Sequence, residues 1–232
     1  MSLLSSLKCM FTPVHPAGFP FIGLGAFAAV GAAIFSPVLT WPLLIITGWT
    51  IYFFRNPIRI TPIQDGVIVS PAEGRVSLIT KVPPPPELGL PQVQMIRVSV
   101  FMSIFDCHVN RIPISGRIAR IAYSPGKFLS ADLDKASDSN ERNAIAIDSA
   151  HGQVAVVQIA GLIARRIKHW VAEGDEMNTG DRFGLIRFGS RLDVYLPLDA
   201  TILVSVGQTA IVGETILADL RSVPPGRLFQ SK

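Results

Sequence analysis

Charge is scarce in this chain. Only 16% of its 232 residues are Asp, Glu, Lys or Arg, and mean hydropathy is +0.41. A purely soluble domain is seldom so apolar, so a membrane-facing part is expected. The charge that exists is nearly balanced, 21 basic against 17 acidic residues for a net +4. No dense basic run with interleaved aromatics occurs, so a nucleic-acid partner is not expected. The small excess suits an anionic membrane surface or an acidic substrate. Cys9 and Cys107 are the two cysteines. They make no disulfide framework and fit a reducing compartment. The four histidines are scattered, without HExxH, H-x-H or C-x-x-C spacing, so no metal site is expected. Cys107 beside His108 is no ligand pair, because adjacent strand residues point to opposite faces. There is no Walker A loop and no G-x-G-x-x-G opening a helix. Gly189 and Arg191 flank Ser190, which is not the G-x-S-x-G elbow of an ordinary serine hydrolase.

One absence is local. From Cys9 to Phe54 no residue is charged, while Lys8 closes one end and Arg55 and Arg59 the other. Inside lie two apolar runs, 17–35 and 37–54, each close to the roughly 20 residues that cross a bilayer core. Pro37 and Pro42 mark a bend between and within them. Trp41, Trp49 and Tyr52 suit a membrane interface. Basic flanks on both sides keep both ends cytoplasmic, so residues 1–60 read as a membrane-associated helical hairpin, spanning or re-entrant. A cleaved signal peptide does not fit: the basic region is a single lysine and the apolar zone is too long.

After Arg59 the texture changes to short alternating or apolar runs, punctuated by Gly and Pro: GVIVSP, GRVSLI, VQMIRVSVFMSI, GRIARIAY, AIAIDS, QVAVVQIAGLIARRI, RLDVYLP, TILVSV. These read as strands. No sustained 3.6-residue period follows residue 60, which excludes a helical body. One repeat is visible. VAEGDEMNTGDRFGLI starts at Val171 and VSVGQTAIVGETILAD at Val204, with Gly174 and Gly180 aligned on Gly207 and Gly213. The texture is that of small sandwiches with hammerhead turns, as in lipoyl- and biotinyl-type domains. The expected class is mainly β, a barrel-sandwich-hybrid-like domain over 61–232 behind the apolar hairpin.

Gly189-Ser190 stands in front of a strand, RLDVYLP. A Gly-Ser pair there is either a turn or a site at which the hydroxyl attacks its own backbone. Several segments decide between these readings together: YFFRNPIR, VIVSPAEGRV, FMSIFDCHVNRIPISGRI, YSPGKF, NERN and GDEMNTGDRFGLIRFGSRLDVYLP. In order and spacing they resemble phosphatidylserine decarboxylase in its short proenzyme form, over nearly the whole chain.

The resemblance implies a pyruvoyl enzyme. Ser190 would attack the Gly189 carbonyl, and elimination would leave a large chain, 1–189, and a small chain, 190–232, capped by a pyruvoyl cofactor derived from Ser190. The two chains would stay together as a heterodimer, with a homo-oligomer left open. The substrate would be a membrane phospholipid, met at the cytoplasmic face of the cell membrane and converted to phosphatidylethanolamine and CO2. Glycine before the cut admits a backbone approach that a Cβ would block, and serine is a nucleophile that needs a base. His108 is the candidate base and proton carrier, and Glu73 its candidate acid partner. The sequence departs from the family pattern twice: Glu73 replaces an aspartate, and Arg111 stands where a second histidine is usual. Asp106 and Asp65 are therefore alternative acids. Arg111 suits a substrate carboxylate or phosphate through its planar fork. Arg55, Arg59, Arg165, Arg166 and Lys168 could face anionic headgroups.

Other classes fit less well. A membrane-anchored lipoyl- or biotinyl-like adaptor without catalysis is the alternative, but neither hairpin tip offers the lysine such a carrier needs. A β-sandwich metallopeptidase lacks its ligand spacing.

Overall fold

The computed structural model describes residues 12–126, 140–161, 166–187 and 190–221. The chain divides into two compact units, Met1–Ile58 and Arg59–Lys232.

The first unit is a pair of apolar helices, α1 (Phe19–Phe35) and α2 (Pro37–Phe53). Ser36 between them is extended, at φ −158°, and Pro37 takes the first helical position of α2, where its missing N–H costs nothing. The far ends are tied by backbone bonds from His15 N to Phe54 O and from Asn56 N to Pro13 O, both 2.7 Å. Phe53 and Phe54 are buried at this closure, but most large side chains point outward: Phe27 is 79% exposed and Phe35 87%. Such a surface is unfavourable in water and matches a lipid environment. The helical stretch Pro16–Phe35 is long and apolar enough to cross a membrane.

The second unit is β-rich, as the run pattern predicts. Its strands are β1 (Val67–Val69), β2 (Gly74–Val82), β3 (Met95–Met102), β4 (Val109–Arg111), β5 (Gly116–Ser124), β6 (Arg142–Ser149), β7 (Gly152–Ala160), β8 (Arg166–His169), β9 (Glu176–Met177), β10 (Arg182–Arg187), β11 (Ser190–Leu196), β12 (Thr201–Ile202), β13 (Thr209–Ala210) and β14 (Ile216–Asp219). A curled eight-stranded sheet runs β13-β2-β3-β11-β7-β6-β5-β9, with three-stranded sheets β1-β14-β12 and β4-β10-β8 beside it. One face carries the main core, with Val76, Val98, Val100, Ile118, Ile145, Ile147, Val154, Leu192 and Val194 all buried. Each such side chain contributes about 1.5–3 kcal/mol on burial.

The repeat at Val171 and Val204 proves to be half of a larger duplication. All four of its glycines take positive φ, from 73° to 96°. Gly174 N donates to Ile118 O and Gly207 N to Val76 O, each at 2.8 Å. Gly180 N reaches Ile112 O at 2.8 Å and Gly213 N reaches Ser70 O at 2.7 Å. The partners form a second repeat, Ser70-Pro-Ala-Glu-Gly-Arg-Val76 against Ile112-Pro-Ile-Ser-Gly-Arg-Ile118. The two copies lock reciprocally, Val69 N on Pro113 O and Arg111 N on Pro71 O. Each hammerhead is therefore assembled from segments far apart in the chain.

Candidate active site

Strand β11 is central. It pairs with β3 on one side, Ser190 opposite Met102, and with β7 on the other, Ser190 opposite Ala160. Alternation sends Ser190, Leu192 and Val194 to the main core, and Arg191, Asp193 and Tyr195 to the opposite face. There Arg191 grips Asp193 through Nε at 2.9 Å and Nη2 at 3.0 Å. Burial, aided by the Asp193 charge, pushes the Tyr195 hydroxyl up to about 12.

Ser190 is fully buried. Its Oγ lies 3.9 Å from Met102 Sδ, a weak acceptor. Gly189, the other side of the expected cut, lies outside the described residues, as does Arg165.

Sequence reading missed what surrounds this sulfur. Asn110 Nδ2 is 3.8 Å from the same Met102 Sδ. Gln158 Nε2 donates to Asn110 Oδ1 at 2.8 Å, and Asn143 Nδ2 to Gln158 Oε1 at 2.9 Å. The signal was parity. Asn143 shares a strand face with Ile145 and Ile147, and Gln158 with Val156 and Val154. A polar residue on the core-facing side of an apolar strand marks a buried polar site.

Glu73, His108, Asp106 and Arg59 meet at one corner. His108 is fully buried, and its Nδ1 lies 2.9 Å from Asp106 O. A carbonyl partner puts the proton on Nδ1 and the basic lone pair on Nε2. Glu73 Oε1 accepts from the N–H of Cys107, the residue before His108, at 3.2 Å. Its Oε2 pairs with Arg59 Nη2. Arg59 thus turns to Glu73 rather than outward to headgroups. Asp106 accepts from Ser103 N at 2.7 Å and so shapes its own loop. Asp65 pairs instead with His151, at 2.8 Å. Arg111 is buried and donates through Nη1 to Gly180 O at 2.7 Å. Burial first, and then the neighbouring Arg182 charge, lower its pKa. A cleft of ≈ 300 Å³ opens beside this corner, lined by Gly74, Arg75, Phe101, Ser103, Asp106 and Thr209.

A family description, phosphatidylserine decarboxylase, matches residues 46–218. The chain belongs to the phosphatidylserine decarboxylase family. The matched span holds Glu73, His108, Arg111, Gly189 and Ser190. Membership makes the chain a carboxy-lyase that decarboxylates phosphatidylserine, and it removes the non-catalytic adaptor reading.

Proposed function

We propose that this decarboxylase matures by cutting itself between Gly189 and Ser190 and works through the pyruvoyl then left on residue 190. The observation that carries the reading is the placement of Ser190. A turn serine faces water, whereas this one is fully buried as the first residue of a central strand. Its hydroxyl rests on a thioether that competes weakly for it.

Topology supports a two-chain product. The segment 190–232 would contribute β11 to β14, of which β11, β13 and β14 pair with β3 and β7, with β2 and with β1 of the larger chain. Leu192, Val194, Leu196, Leu217 and Ala218 stay in the shared core. Cutting one peptide bond leaves this burial intact, so a stable heterodimer is expected.

Once formed, the pyruvoyl supplies an electron sink for the bond that releases CO2. The chain's own residues supply proton transfer and orientation. His108, basic at Nε2, is the candidate base. Glu73 holds the loop before it through Cys107 N. Arg75 lines the cleft and offers a cation to the headgroup phosphate. Arg111, engaged with Gly180 O, is a weaker candidate for that duty. The apolar helix pair would dock the enzyme on the bilayer that holds its substrate, at the cytoplasmic face.

The test is an intact-mass spectrum with a decarboxylation assay. Two chains meeting at 189/190, the smaller lighter by one ammonia than a serine-started peptide, are expected. Ser190→Ala should leave one inactive chain. If that variant still released CO2 from phosphatidylserine, the pyruvoyl reading would be wrong.

A further inference from the structure

Three buried amides run through the core to the neighbourhood of Ser190. Asn110, Gln158 and Asn143 are each 0% exposed. The end oxygen, Asn143 Oδ1, finds no hydrogen-bond partner among the described residues. Such a chain costs desolvation that an apolar trio would avoid, and buried polar atoms left unsatisfied are rare in cores.

The chain has a direction. Gln158 occupies the Asn110 oxygen, so the Asn110 N–H end faces the other way, toward Met102 Sδ. Ser190 Oγ meets that same atom. Two donors thus converge on one weak acceptor.

Maturation, on the function proposed above, asks for a donor at this place. In the first step Ser190 Oγ bonds to the Gly189 carbonyl carbon and the C–N bond breaks. The Oγ proton ends on the released amine, and Oγ becomes an ester oxygen that can no longer donate. In the second step a base takes the Ser190 α-proton and the Cβ–Oγ bond breaks. The electron pair leaves on Oγ, now part of the Gly189 carboxylate. Negative charge developing there, in a site shut from water, requires an aimed N–H.

We propose that Asn110 Nδ2–H, held in place by Gln158 and Asn143, donates to this departing oxygen. Asn110 thereby becomes a residue of the elimination step, and Gln158 and Asn143 position it. Removing one such donor costs roughly 10²–10³-fold in the step it serves, and ester formation should continue.

The experiment follows full-length Asn110→Ala by intact mass over time, with and without hydroxylamine. Hydroxylamine splits an ester and spares an amide. The expected variant accumulates a full-length chain that hydroxylamine cuts into a 1–189 hydroxamate and a 190–232 chain beginning with serine. The parent chain should proceed to the pyruvoyl form. A variant that reaches the pyruvoyl form at the parent rate, even with a lowered melting temperature, overturns the proposal. So does one that stalls as a hydroxylamine-resistant chain, since the block would then precede the ester. If the parent itself stays uncut, the self-cleavage reading fails and this one with it. Should Asn110→Ala not fold, Gln158→Met keeps Asn110 but removes its anchor. Ester accumulation there supports the proposal, and a parent-like time course overturns it.

Discussion

Glu73 and Ser115 hold the same position in two copies of one backbone motif. Both follow a proline by two residues and precede the Gly-Arg that starts a strand. Ser115 closes its own hammerhead: its Oγ accepts from Thr179 N at 2.9 Å and meets Thr179 Oγ1 at 3.0 Å. The counterpart of Thr179 in the other copy is Val212, which has no polar side-chain atom. Glu73 is therefore not called on to close a turn and reaches Arg59 and Cys107 N instead. The fold needs the glycines and backbone bonds of both copies, whereas the chemistry gathers where the copies differ.

The widest expected gap between the copies is at their strand-starting glycines. A Cβ on Gly74 would stand 2.0 Å from Phe101 O, on a backbone at φ +151°. A Cβ on Gly116 would stand 2.4 Å from Asp148 O. Gly74→Ala carries clash and backbone strain together, so it should cost about 4 kcal/mol or more and Gly116→Ala less, in urea unfolding. Equal losses would mean that the two copies bear strain alike.

Next comes the corner itself. Glu73→Gln keeps the shape and removes the charge that faces Arg59. Self-cleavage, followed by gel, should slow on the order of 10²-fold, as when a catalytic group is held slightly out of place. Ser115→Ala should process at the parent rate and lose only about 1 kcal/mol of stability with its hydrogen bonds. If Ser115→Ala stalled as badly, the division between fold and chemistry would collapse.

The smallest effect is acid sensitivity. Asp219 ends the Glu73-bearing copy, and Ile186 stands at its place in the other. Hydrogen bonds from the Arg221 side chain, against some opposing burial, hold the Asp219 carboxyl below its ordinary range. A carboxylate with a depressed folded-state pKa stabilises the protein above its unfolded value, near pH 4, and that stabilisation fades as pH falls through the folded value. Arg221→Ala should thus lose stability at neutral pH and flatten the acid limb of a pH–melting curve. An unchanged limb would place the acid response elsewhere.

Much of this was legible in the chain. Charge-free runs gave the helix pair, because helices satisfy their own backbone and an apolar surface declares itself by composition. Alternation gave the strands for the same local reason. The glycine repeat at 174/180 and 207/213 is visible in the chain, whereas its partner repeat at 70–76 and 112–118 is not. Its sequence identity is thin, and the pairing exists only as bonds between distant segments. In sequence Arg59 is one of several cations that could face headgroups, since no local pattern reveals an ion pair made 14 residues away. Asn110, Asn143 and Gln158 carry no sequence motif that links them, since each lies on a different strand.

Sequence by itself determined the class of the molecule, its apolar hairpin, its β body, its family and the serine at the head of β11. These depend on composition, period and short motifs, which are properties of neighbours in the chain. Tertiary structure alone decided that Ser190 is buried, that Asn110 meets it on one sulfur, and that Glu73 rather than Asp65 reaches the His108 loop. Those facts are contacts across strand registers, and a register is fixed only when the whole sheet packs its buried face.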